Sequence, residues 1–450
     1  MNRKKQLEWT GMRACLLDER GGNHLRSQWI KIAQTALLSI GIAALLAACT
    51  DSSGQTPVAK PPQEQEDNGN TGQTLTVVPP ANSTQSADTA KYQIQTRLTD
   101  FQLLNGNGGL AWGVTRNALR LYYTQDQGST WTNISPSENV QFPANPQYGQ
   151  SIYFVDSTHG WIVREGMGGT DTMVLRTNNG GASWSLSSLS KTDKVTAITF
   201  ASPEKGWILT TTDTSIGKQD KKLYLTEDGG ITWNEMSSSD AEGKQSTAEI
   251  PTRGYTTGMT FSDSNHGFLT VLEFGTPKLY VTVDGGEHWK SGPSFFDRDQ
   301  FNGCGNFNIS SPQFFGREAQ GAWMSMSCSQ GESTKFNGFF TTNGGQSWTL
   351  SAFSLNKQTG INRNLAPSFL NPLEGWAMQK GKTYYTKDAG KTWKALPVSK
   401  VLESIHKDYP EIVKLQMVSS KLGWILVENT DAKRSLLLQT VDGGVHWKVL

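Results

Sequence analysis

An eight-residue pattern recurs seven times along the 450-residue chain, and it constrains the fold more than any other feature. The copies are Thr124 to Trp131, Thr177 to Trp184, Thr226 to Trp233, Thr282 to Trp289, Thr341 to Trp348, Thr386 to Trp393 and Thr440 to Trp447. In each, an apolar run ends in Thr, an Asp or Asn follows two residues later, Gly sits two further on, and Trp closes the segment. The Asp/Asn positions are Asp126, Asn179, Asp228, Asp284, Asn343, Asp388 and Asp442. Such side chains accept hydrogen bonds from amides of their own turn, and Gly supplies the φ > 0 that a tight reversal needs. The segment is therefore predicted to be a self-satisfied β-hairpin turn whose Trp opens the returning strand. Copies about 45 to 59 residues apart are the mark of a repeat architecture.

A second signature, a small residue followed by an aromatic one, precedes each copy: Ala111-Trp112, Gly160-Trp161, Gly206-Trp207, Gly267-Phe268, Ala322-Trp323, Gly375-Trp376 and Gly423-Trp424. Of the 15 tryptophans, only Trp9 and Trp29 lie outside these two positions, so none is left in a variable loop to stack on a sugar or a base. Each unit reads as a four-stranded antiparallel sheet that cannot bury both faces alone, whereas seven packed around an axis can. The expected fold is all-β, a single seven-bladed propeller, with blades near 92–136, 149–189, 194–238, 254–293, 306–353, 364–398 and 411–450. Blade seven is then built wholly from the C-terminal segment, and the ring closes by side-chain packing; an alternative has residues 92–98 pairing outside blade seven.

The pattern Ser/Thr-x-Asp-x-Gly-x-Thr/Ser-Trp resembles the Asp-box, or bacterial neuraminidase repeat, of sialidases, sortilin-like receptors, some xyloglucanases and photosystem II assembly-factor-like propellers. Asn179 and Asn343 depart from it, as do His288 and His446 before the Trp. The resemblance covers residues 92–450 and implies the fold. Its nearest group, the photosystem II assembly-factor-like propellers, joins a signal or lipobox to one such ring and implies protein binding without chemistry. A sialidase-like site would add an arginine cluster, a Tyr nucleophile with a supporting Glu and an early Phe/Tyr-Arg-Ile-Pro motif, but Arg97 is followed by Leu98-Thr99. A glycoside hydrolase or glycan-binding protein is the alternative reading.

Residues 32–48 form an apolar run preceded by Arg26 and Lys31 and followed by Cys49, which reads as an export signal. Leu46-Ala47-Ala48-Cys49 resembles the bacterial lipobox, which implies lipidation of Cys49 and anchoring to the outer side of the cytoplasmic membrane; a transmembrane anchor is the alternative. The polar residues 1–25 allow a start at Met12. Residues 49–91, rich in Pro, Gln, Ser and Asn, read as a disordered tether. Without residues 1–48, which hold seven basic and three acidic residues, the chain has 34 basic against 37 acidic residues. That balance gives no reason to expect nucleic acid as a partner.

In a propeller the boxes share a face with the strand one to two turns, and the opposite face carries the strand two to three loops and the links between blades. The long links 133–150, 236–255, 292–306 and 395–411 lie there, where binding residues concentrate. Lys218, Lys221 and Lys222 read as a solvated loop tip. Phe295, Phe296, Arg298 and Phe301 are the candidate partner-binding residues, with packing of the phenylalanines into blade four or five as the competing reading. Folding blade five about Gly316 puts Cys304 and Cys328 in register for a disulfide, which an exported protein can keep. The six histidines lack metal-ligand spacing, and the Asp-Gly-Gly segments lack the alternating ligands of an EF-hand, so the box Asp residues are expected to be structural and no cofactor, metal or catalytic residue is expected. The expected partner is an extracytoplasmic protein or glycan, bound by a monomer.

Overall fold

The computed structural model describes residues 73–78 and 92–450, apart from 138–139, 143–144, 167–169, 191 and 240–249. The export signal, Cys49 and most of the expected tether lie outside these residues. Seven sheets, each built on four antiparallel strands, follow one another around a ring. In blade three the strands are Lys194–Phe200, Gly206–Ser215, Lys218–Thr226 and Asn234–Ser239, paired in chain order. Among the described residues no helix is long and apolar enough to cross a membrane.

Between blades, the aromatic residue of one blade's second strand lies against the first strand of the next. Trp161 stacks on Phe200 at 3.4 Å between ring centroids, Trp207 on Phe261 at 3.7 Å, and Trp424 meets Phe101 at 5.8 Å to complete the circle. The small residue before that aromatic has a steric cause: a Cβ at Gly206 would lie 2.3 Å from the ring of Phe200, and one at Gly160 2.3 Å from Phe154. The six second-strand tryptophans are at most 2% exposed, and truncating a ring so buried costs about 3–5 kcal/mol.

Blade seven consists of Glu411–Met417, Gly423–Asn429, Arg434–Thr440 and Lys448–Val449, and among the described residues no strand from the N-terminal side joins it. The seam with blade one is closed by side chains. Leu98, Phe101, Leu103 and Trp131 form one buried cluster with Trp424, Leu426 and Leu437. Polar contacts frame it: Arg97 pairs with Glu428, the Leu98 amide donates to Ser435 Oγ at 2.7 Å, and Lys414 Nζ donates to the Phe101 carbonyl at 2.6 Å.

The N-terminal edge differs from expectation. Blade one starts with Asp100–Leu103, not with residue 92. Tyr92–Thr96 pairs instead with Gln73–Val78, a strand inside the span expected to be unstructured, and that strand runs parallel to the outer strand Trp131–Asn133. An outer strand presents unpaired amides and carbonyls, and a further strand satisfies them. The link between blades six and seven also holds what composition did not suggest, a helix over Lys400–Asp408 capped by Ser399 and anchored by buried Leu402.

Candidate functional site

The seven boxes are built alike. In blade three Thr226 Oγ1 donates to Asp228 Oδ1 at 2.8 Å and accepts from the Gly230 amide at 2.7 Å, while the Thr232 amide and hydroxyl donate to Asp228 at 2.9 and 2.6 Å. Burial alone would raise the Asp228 pKa, but these bonds outweigh it and hold the carboxyl at about 2. In blade four His288 replaces the hydroxyl, its Nδ1 lying 2.8 Å from Asp284 Oδ2. Where Asn replaces Asp the polarity reverses: Asn179 Nδ2 donates to Ser183 Oγ at 2.8 Å, and Asn343 Nδ2 to Ser347 Oγ at 2.9 Å. The Asp and Asn side chains at Asp126, Asn179, Asp228, Asp284, Asn343, Asp388 and Asp442 thus bond within their own turns.

Two residues in each box, not one, take positive φ: Gly229 at 71° and Gly230 at 87° in blade three, but Gln127 at 62° in blade one and Ala389 at 60° in blade six. The first donates its amide to the strand one to two turn of its own blade, as Gly229 does to Glu204 O at 2.7 Å and Ala389 to Leu373 O at 2.9 Å. The second sits against the preceding blade, where a Cβ on Gly181 would be 2.4 Å from Ile134, one on Gly390 2.3 Å from Phe353, and one on Gly128 2.6 Å from Leu450 across the seam. Trp161, Trp207 and Trp376 donate Nε1 to the box carbonyl of the following blade, at Gly229, Gly285 and Gly443, each at 2.8 Å. The box face is therefore a framework whose polar groups are committed to holding blades together. Asp284, Glu287 and His288 bring ligand atoms within 4.8 Å of one another, the one grouping of metal-ligand type among the described residues, but Asp284 is already bonded to Thr282 and His288.

The loop face is arranged otherwise. Lys221, read as a solvated tip, is fully buried: its Nζ donates to the carbonyls of Gln219, Pro251 and Gly254 at 3.1, 2.9 and 3.1 Å, tying the blade-three hairpin to the link before blade four. The register of the long hairpin turns this side chain inward, which local charge could not reveal. Burial lowers its pKa to about 8 against the opposing pull of Asp220 and Asp213. At adjacent hairpin tips Ile216 and Phe274 stand 92% and 72% exposed, with Phe274 in the left-handed region at φ 50°. A Cβ on Gly217 would meet the Phe274 ring at 3.0 Å, so the two tips touch. Their signal in sequence is an apolar residue before Gly at a turn, Ile216-Gly217 and Phe274-Gly275.

On blade five the candidate phenylalanines are half-buried and packed. Phe295 meets Phe339 edge-on at 4.8 Å, Phe296 stacks on Phe301 at 5.3 Å, and both Phe296 and Phe301 meet Phe307. Arg298 remains exposed and lies over the Phe307 ring, opening a short 3-10 turn, Arg298–Phe301. Cys304 and Cys328 are disulfide-bonded with their Cα atoms 5.6 Å apart. They are not in register, however: Phe307 faces Cys328, and Cys304 reaches it from the loop before the strand. The first strand is broken into Asn306–Ile309 and Gln313–Phe315, and its turn lies about residue 318, since Gln313 faces Trp323 and Phe315 faces Gly321, and not about Gly316 as sequence suggested.

Beside the disulfide is a cleft of about 510 Å³. Its cause is a break in the outer strand of blade five: Thr349–Ser351 and Gln358–Thr359 both pair with Ser333–Thr341, and residues 352–357 leave the sheet between them. Two lysines line it, Lys335 on the sheet and Lys357 on the departing segment, together with the amide side chains of Gln300, Asn302, Gln330, Asn337 and Asn356. No carboxylate is among the lining residues. Lys335 donates to the Leu355 carbonyl and Lys357 to Gln330. Burial, reinforced by the charge of Lys357, lowers the Lys335 pKa. Sequence alone did not single out either lysine, because the broken strand that brings them together is a tertiary feature.

Comparison with known proteins agrees with this architecture. The BNR/Asp-box repeat matches at residues 384–395, and the family described as sortilin, neurotensin receptor 3 (Sortilin-Vps10) matches residues 119–249. No curated protein matches the chain in sequence. Among solved structures it is similar to YCF48 bound to D1 peptide, at 19% identity and a TM-score of 0.46 over 77% of this chain and 93% of that one. It is also similar to the GH74 enzyme of Niastella koreensis, at 12% identity and a TM-score of 0.28 over 78% and 71% of the two chains. The Hadza microbial sialidase Hz136 aligns at 11% identity and a TM-score of 0.35 over 73% and 74%.

Proposed function

We propose that this chain is a non-catalytic, membrane-anchored scaffold on the outer side of the bacterial cytoplasmic membrane, holding its loop face toward a protein partner. The observation that carries the reading is the division between the two faces. Box side chains are consumed within their own turns and between blades. Apolar side chains are exposed on both faces, Ile231, Val283 and Val441 standing half-exposed in the boxes, but the two most exposed, Ile216 and Phe274, are on the loop face, which also carries an open polar cleft on blade five. Exposed apolar residues on rigid hairpins bind without first paying for order. In kind, the role is the one implied by the resemblance to photosystem II assembly-factor-like propellers.

The test is site-specific photocrosslinking in the native cell from Ile216, Phe274 and Arg298 on the loop face, with Val283 on the box face as control. One protein captured from the loop positions and absent from Val283 is expected, together with release of the chain from membranes in Cys49→Ser. Turnover of a glycan panel, with no protein captured, would replace the scaffold by a glycosidase.

A further inference from the structure

We propose that the blade-five cleft is a binding site for an acidic peptide segment, whose carboxylates are received by Lys335 and Lys357. The inference deepens the reading of the loop face as a binding face and rests on it.

The charge pattern points to an anion. Among the described residues neither lysine lies within 4.0 Å of a carboxylate, and no carboxylate lines the recess they share. Two like charges share one recess and are satisfied only by neutral oxygens, the Leu355 carbonyl and the Gln330 amide. Holding cations together costs free energy that an arriving carboxylate returns, since a charge-assisted hydrogen bond is about twice as strong as a neutral one.

The remaining lining points to a peptide and not a sugar. Side-chain amides offer both a donor and an acceptor, the complement of a peptide backbone. Asn337 already uses its oxygen to hold the Phe353 amide at 3.3 Å, which leaves its NH₂ group. An aromatic face on which a sugar ring could stack is not offered by Phe301, which gives its face to Phe296 with 4° between the rings. The disulfide at Cys328, directly across the sheet from Lys335, fixes the wall that carries the first lysine. A cleft of about 510 Å³ takes a few residues of extended chain, not a folded domain.

The experiment is calorimetric titration of the full chain with a capped triglutamate peptide, the matching triglutamine peptide, glucuronate and inorganic phosphate. Triglutamate is expected to bind at least about tenfold more tightly than triglutamine, and to weaken as salt approaches 1 M, where the screening length is about 3 Å. Lys335→Gln with Lys357→Gln should reduce that affinity by about tenfold or more, and Lys335→Arg with Lys357→Arg should retain it. Circular dichroism of both double variants confirms that they fold. Equal binding of the two peptides, unchanged binding in the Gln variant, or glucuronate or phosphate matching triglutamate would each overturn the assignment. Crosslinking from Ile216 and Phe274, on blades three and four, reads the scaffold role separately, so either idea can fail while the other stands.

Discussion

The two faces of this propeller use the same strands for opposite ends. On the box face the turns are short, repeat one hydrogen-bond pattern, and turn their polar groups back on themselves. On the loop face no two connections match: one hairpin buries Lys221 and exposes Ile216 at its tip, the next exposes Phe274, and blade five opens a cleft. The difference teaches that repetition here belongs to the turns that make blades adhere, while individuality belongs to the links, which the ring leaves free to vary.

That contrast can be broken by mutation. The largest effect is expected at the second box glycine. Gly390→Ala combines a positive φ of 81° with a Cβ 2.3 Å from Phe353, so strain and overpacking together should cost about 3–5 kcal/mol in chemical denaturation. Gly316 on blade five has a φ of 67° but nothing within 4 Å, and its Ala variant should lose only about 1–2 kcal/mol. Equal losses would mean that contact with the preceding blade is unimportant.

Next comes Lys221→Met, which strips a donor from four carbonyls and should cost about 2–3 kcal/mol. The pH dependence identifies the cause. The folded pKa of about 8 is below the ordinary lysine value, so between about pH 8 and about pH 10.5 the unfolded chain binds more protons and stability rises with pH. Denaturation midpoints across that window should show this contribution in the native chain and lose it in the Met variant.

Trp207→Phe keeps the stack on Phe261 but deletes the bond to Gly285, and a loss of about 1–2 kcal/mol in thermal unfolding is expected. Blade four already carries Phe268 at the equivalent position, so the ring tolerates the change without losing its fold. Ala389→Gly should act in the other direction, stabilising by about 1 kcal/mol, because its φ of 60° suits Gly better. The smallest effect belongs to the loop face. Ile216→Ser should leave stability within about 0.5 kcal/mol while reducing capture from the crosslinker at the adjacent tip, Phe274.

Much of the framework was legible from residue order. The Thr and Asp of each box, and the Gly-Trp step, are local devices whose bonds are made within a few residues, so their meaning survives without the fold. Other box features were only half legible. The second positive φ is hidden where Gln127 and Ala389 stand, and the close approach of Gly181 to Ile134 spans two blades. The candidate segment at Phe295–Phe301 was found by its composition, yet composition could not say that its rings would turn to Phe307 and Phe339. Lys221 was read by its neighbours in sequence, which are charged, whereas hairpin register decided its burial.

Sequence by itself determined the number of blades and the turn chemistry that stiffens one face, because both depend on interactions at short separation repeated at a regular interval. Only the tertiary structure decided how the ring is sealed, through Trp131, Trp424 and Leu98, and where Lys335 meets Lys357. Those contacts join residues that the chain keeps far apart or lets diverge at a broken strand, and their free energy exists only once the neighbouring surfaces have met.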